Sequence, residues 1–154
     1  MIRGAIVTCS GSSHSCHGEL SRKLFFLDVQ NLSEEMVLTS KNVKLRYKKA
    51  TRFNNNSGDQ VSLMCYARNG ATPTDRLFDY SGDISKAPLV IKLPRLGTWY
   101  FYIVPIRTHG SSNESGMHPM PQLCHSLHWE VFGCPSGKAG PNCSWERYTI
   151  EVCS

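Results

Sequence analysis

The chain has 154 residues, of which 40% are hydrophobic and 19% charged, with a formal net charge of +5. That length holds one domain with a real hydrophobic core plus a small appendage and excludes two full domains, while the composition excludes disorder throughout. No run of about 18 apolar residues is present, so the sequence offers no membrane-spanning helix.

The first stretch, MIRGAIVTCSGSSHSCHGEL, has an apolar run of only Ala5, Ile6 and Val7, too short for the core of a signal peptide. Residues 1–19 read as a Cys- and Ser-rich lead-in. Yet the chain carries seven cysteines, at positions 9, 16, 65, 124, 134, 143 and 153. It also holds glycosylation acceptor tripeptides at Asn31, Asn55, Asn113 and Asn142. Cys143 is the middle residue of the last tripeptide, and an oxidised cysteine there competes with sugar transfer. Asn31, Asn55 and Asn113 are therefore the expected glycan carriers. Both signals belong to an oxidising compartment. The missing leader is reconciled with them by reading the chain as an internal or truncated piece of a longer secretory precursor.

Five segments read as strands, because they alternate apolar and polar residues or run apolar between turn-forming clusters. They are KLFFLDVQ (23–30), NVKLRYKK (42–49), QVSLMCYAR (60–68), APLVIKL (87–93) and GTWYFYIVPI (97–106). Between 23–30 and 42–49, a single helical turn is expected around Ser33 to Met36, with Ser33 as its cap. In NVKLRYKK, Val43, Leu45 and Tyr47 form the inward set, and Lys44, Arg46 and Lys48 the wet one. NNNSGD (54–59) and YSGD (80–83) read as reversals. GTWYFYIVPI is apolar on both faces, with Trp99, Phe101 and Ile103 on one side and Tyr100, Tyr102 and Val104 on the other. Such a strand is central in a sheet, or has its outer face covered by the next module. Short strands at this spacing predict a mainly β fold, an antiparallel β-sandwich over residues 20–107. THGSSNESGMHPMPQ (108–122) reads as a linker or long loop. Residues 123–154 hold four of the seven cysteines and read as a disulfide-stapled appendage.

The candidate chemistry is sparse. Cys9, His14, Cys16 and His17, with Cys124, His125 and His128, supply zinc-ligand types, but no Cys-x2-Cys pair occurs anywhere. They are read as disulfide cysteines and surface histidines, so no metal and no cofactor is expected. Motifs for a serine nucleophile elbow, a phosphate-binding loop and a zinc protease are all absent, so no catalytic residue is assigned. Lys41, Lys44, Arg46, Lys48, Lys49 and Arg52 place six cations in twelve residues. Such a run attracts a lipid headgroup layer or a sulfated glycan, yet strand-edge lysines also keep a chain soluble and block edge pairing. The second reading is preferred. Nucleic acid is not an expected partner, since the glycosylation signals place the chain outside the cytosol.

The stretch CPSGKAGPNC (134–143) has the pattern Cys-x2-Gly-x2-Gly-x2-Cys, which resembles the last loop of an epidermal-growth-factor-like module. The resemblance implies that Cys134 pairs with Cys143. Lys138 stands where that family has an aromatic residue and Phe132 where it has a cysteine, so the tail reads as an incomplete module.

The strand carrying Pro94, Gly97, Trp99 and Tyr100, followed by this cysteine loop, is similar to the ectodomain of the transmembrane-protein-eight family, which includes the post-GPI-attachment phospholipase. The resemblance implies a jelly-roll-like β domain outside the cell, then an epidermal-growth-factor-like tail, then a multi-span membrane domain beyond Ser154. The lipid-hydrolysing chemistry belongs to that membrane domain, so the resemblance transfers no catalytic residue to this chain. It implies a non-catalytic extracellular or lumenal interaction segment of a membrane protein, with a cell-surface or glycolipid-anchored protein as partner. An accessory part of a lipid or GPI-anchor hydrolase, and a carbohydrate-binding sandwich stacking Tyr100 or Tyr102 on sugar rings, are the alternatives.

Overall fold

Each strand sorts its side chains to two faces by simple alternation, and the apolar faces of two sheets bury each other. The computed structural model describes residues 4–46, 60–108, 121–139 and 143–146. Among them, the strands are β1 (Ile6–His17), β2 (Lys23–Val29), β3 (Glu35–Arg46), β4 (Gln60–Asn69) and β5 (Tyr80–Asp83). β6 (Leu89–Lys92), β7 (Gly97–Thr108), β8 (Gln122–Gly133), β9 (Lys138–Ala139) and β10 (Trp145–Glu146) follow. The chain is mainly β and antiparallel throughout. No helix among the described residues is long and apolar enough to cross a membrane.

Strands pair in the order β1-β8-β3-β6 in the first sheet and β2-β7-β4-β5 in the second. Every connection from β1 to β8 crosses between the sheets, except the one from β4 to β5. That winding is the eight-stranded jelly roll, in which two Greek keys close around one core. The core is drawn from the inward positions of six of these strands. They include Met36 and Leu38 on β3, Leu63, Cys65 and Ala67 on β4, Ile91 on β6, Trp99, Phe101 and Ile103 on β7, and Leu123, Leu127 and Val131 on β8. The Trp99 indole N–H donates to the Arg95 carbonyl at 2.8 Å, so its polar atom is matched despite burial.

The sandwich is wider than residues 20–107. Residues 6–17, expected as a lead-in, are the edge strand β1, and residues 122–133, expected as linker and tail, are the central strand β8. The serine-rich β1 carries no apolar inner face to announce it. It is held by an eleven-residue register with β8, from Ile6 opposite Gly133 to His17 opposite Leu123. The expected helical turn at Ser33–Met36 is also absent. Glu35 opens β3, and the Ser33 hydroxyl bonds the Asn31 carbonyl at 2.9 Å instead of capping a helix. A 3₁₀ turn lies instead at Gly18–Leu20, between β1 and β2.

YSGD, expected as a reversal, is instead strand β5 over all four residues, and the turn follows it at 84–86. Tyr80 of β5 turns inward with its ring 6.1 Å from that of Trp99. Asp83 ends the strand by accepting from Leu63 N at 3.1 Å, Ser85 N at 3.0 Å and Ser85 Oγ at 2.6 Å. Beyond β8, Cys134 and Cys143 are joined in a disulfide, and β9 pairs with β10 through two residues each. This short ladder does not by itself define an epidermal-growth-factor-like module.

Candidate functional site

The two outer faces of the sandwich differ in chemistry. Register puts Ser10, Ser12, His14 and Cys16 of β1, Ser126, His128 and Glu130 of β8, and Lys41 and Lys44 of β3 on the outside of the first sheet. That face is polar. Of the basic run, Lys41, Lys44 and Arg46 are exposed, and Lys48, Lys49 and Arg52 lie outside the described residues.

The second sheet turns out an aromatic surface. Opposed residues of antiparallel strands share a face, so Leu24, Tyr102 and Tyr66 form one row, and Phe26, Tyr100 and Arg68 the next. Phe26 is 69% exposed, and its ring lies 6.4 Å from that of Tyr100. Phe78 extends the first row, 5.4 Å from the Tyr66 ring. Arg22 sits 6.0 Å above the Tyr102 ring, within reach of a cation–π interaction. β7 is apolar on both faces for this reason: Trp99, Phe101 and Ile103 fill the core while Tyr100 and Tyr102 supply the half-buried platform outside.

A polar network lies inside the sandwich where β1 turns into β2. His17 and His125, read from the sequence as surface residues, are both fully buried and stacked, with ring centroids 5.1 Å apart. His17 Nδ1 lies 2.8 Å from the Ser21 carbonyl, the two Nε2 atoms are 3.0 Å apart, and His125 Nδ1 is 3.0 Å from Ser40 Oγ. The partners fix the hydrogens. A carbonyl only accepts, so His17 Nδ1 donates to it. Burial lowers the His17 pKa, and burial together with the neighbouring His17, His14 and Lys23 charges pushes that of His125 down to about 4. Both rings are therefore neutral near pH 7. His17 Nε2 accepts from His125 Nε2–H, and His125 Nδ1 accepts from the Ser40 hydroxyl. A base this weak is poorly matched to activating a hydroxyl at neutral pH, so the network suits holding strands together.

Above the pair, Cys16 and Cys124 face each other across β1 and β8 and form a disulfide with Cα atoms 4.0 Å apart. His14 joins them in a group whose donor atoms lie within 4.8 Å of one another. The two histidine- and cysteine-rich stretches thus meet in space, but both sulfurs are spent on each other, and a disulfide does not replace the thiolates that zinc needs. Cys9 is a free, exposed thiol, and Cys65 a free, buried one. Asn31 is exposed between β2 and β3; Asn55 and Asn113 lie outside the described residues.

Sequence reasoning named Tyr100 and Tyr102 but not Phe26, Tyr66 or Phe78, which join them only through register. No family model and no curated protein matches the chain.

Proposed function

We propose that this chain is a non-catalytic recognition module, an extracellular or lumenal part of a larger membrane protein, and that the aromatic face of its second sheet makes the contact. One observation carries the reading: Phe26, Tyr66, Phe78, Tyr100 and Tyr102 gather on one solvent-facing surface with Arg22 and Arg68 among them. Exposed aromatic patches of this kind mark interaction surfaces, and aromatic and arginine side chains dominate their energetics. The two disulfides and the exposed Asn31 acceptor support an oxidising compartment. The strand and cysteine-loop resemblance supports membership of the transmembrane-protein-eight family, and through it a cell-surface or glycolipid-anchored protein as partner.

A tetramer of the chain, secreted from eukaryotic cells behind an added signal peptide and used to stain intact cells, tests the reading. Substituting Phe26, Tyr100 and Tyr102 together by Ser should lower staining by about thirtyfold or more, the scale of a lost hot spot. Neutralising Lys41, Lys44 and Arg46 on the opposite face should leave it unchanged. Equal staining by the native and aromatic-deleted tetramers rejects the reading. A second reading, carbohydrate binding, is favoured by the exposed tyrosine faces; a glycan array with no signal above background removes it.

A further inference from the structure

The seam between the sheets is open along its β1 and β2 edges, and the sequence of β1 is the cause. Over the slot its inward positions are Gly11, Ser13 and Ser15, so no large side chain descends from β1 into the interior before His17 at its end. Gly11 is forced to be small: a Cβ there would lie 2.4 Å from Cζ2 of Trp129, whose ring crosses beneath β1. What remains is a cleft of about 260 Å³ between the sheets. Its floor is Leu38, Phe101 and Leu127, and its walls are Phe25 and Leu27 of β2 and Trp129 of β8, with Ser13 the one polar residue lining it.

A cation stands just beyond the residues that line this apolar slot. Two residues along from Ser13 and Phe25, on the same inward faces, Lys23 Nζ donates to Ser15 Oγ at 3.3 Å. Lys23 is half-buried, and among the described residues no carboxylate pairs with it. The lysine is directed inward, since the Ser15 hydroxyl it bonds is itself buried. A half-buried ammonium held only by a hydroxyl, just beyond an apolar slot, is complementary to an anion that carries a hydrocarbon tail.

We propose that this cleft binds a single-chain anionic amphiphile, a medium-chain fatty acid, with its tail between the sheets and its carboxylate on Lys23 and Ser15. The volume lies just below the range of about 300–1,000 Å³ usual for small-molecule sites, which suits one chain and not a diacyl lipid or a sterol. Leu24 and Phe26, 46% and 69% exposed, form an apolar lip through which the tail enters. The slot lies inside the sandwich and the aromatic platform outside it, with Leu24 and Phe26 at the β2 edge belonging to both; the tail-length series and Lys23→Gln leave the platform intact, so the two readings fail separately.

Calorimetric titration of the secreted full chain with hexanoic to dodecanoic acid, each below its micelle concentration, tests this. Affinity should rise by about fourfold per methylene, the gain from burying one, until the slot is full, and then level off. The alcohol of the same length should bind at least tenfold more weakly than the acid. Lys23→Gln should remove that preference and leave the alcohol unchanged. Ser13→Phe, which fills the slot from an exposed position, should abolish binding while circular dichroism reports an intact fold. No saturable binding, no dependence on tail length in the native chain, or equal affinity for acid and alcohol overturns the proposal. So does binding to phosphatidylserine vesicles without binding of the monomeric acid. The tail-length series uses only the native chain, so it decides even if a variant fails to fold.

Discussion

His125 is a histidine kept neutral by its position, and that ties the stability of the sandwich to pH. In the unfolded chain it takes a proton near 6.5; folded, it does so only near 4. Between those values the unfolded chain binds more protons than the folded one, so stability rises with pH across the window. The contribution is complete above pH 6.5, declines as pH falls, and is gone at about 4. The shift corresponds to roughly 3 kcal/mol for this single fully buried ring. His125→Gln keeps both hydrogen bonds, since an amide N–H can donate to His17 Nε2 and its oxygen can accept from Ser40. Urea unfolding at a series of pH values should therefore show a shallower dependence between pH 6.5 and 4 in His125→Gln than in the native chain. Parallel curves would mean that His125 does not carry the effect. The histidines themselves were visible in the sequence, but their burial was not. They stand 108 residues apart, and no local pattern distinguishes a buried pair from two solvated rings.

At the scale of elements, the strands that could be read in advance were those with their own apolar alternation. β2, β4 and β7 fall close to KLFFLDVQ, QVSLMCYAR and GTWYFYIVPI because each brings its own buried face. β1 and β8 could not be read because their pairing is nonlocal. The inward residues of β1 are glycine and serines as far as His17, and Cys124 of β8, grouped with the cysteines that follow it, suggests an appendage before it suggests a strand. Cys16 and Cys124 are the covalent counterpart of that pairing. Their bridge closes a loop of 108 residues, whereas Cys134–Cys143 closes one of 9. The loop-closure estimate gives about 5 kcal/mol for the first and roughly 2.5 kcal/mol for the second. Replacing Cys16 and Cys124 together by Ala should cost about twice as much in denaturant unfolding as replacing Cys134 and Cys143. If the tail bridge proves the costlier one, residues 134–146 contribute more to the domain than their two-residue ladder implies.

For the molecule as a whole, the jelly roll makes two unpaired thiols report on different things. Cys9 is exposed on the edge strand β1, where a reagent reaches it without any opening of the fold. Cys65 sits on the inner face of β4, and burial pushes its thiol up to about 12, so neither access nor thiolate is available in the folded state. β4 is bonded to β7 on one side and β5 on the other, and it packs against the first sheet. Exposing Cys65 therefore requires parting the two sheets, an event with the free energy of global unfolding and not of local fraying. Domains of this size are stable by about 5–15 kcal/mol, so Cys65 should react at least about a thousandfold more slowly than Cys9 in native buffer. Timed iodoacetamide labelling, quenched and mapped by peptide mass spectrometry, measures both rates in one sample. Urea should accelerate Cys65 steeply while leaving Cys9 nearly unchanged, because only the first rate is coupled to the surface exposed on unfolding. A Cys65 rate within tenfold of Cys9 in the absence of denaturant would show that the sheets part far more readily than a single closed core allows.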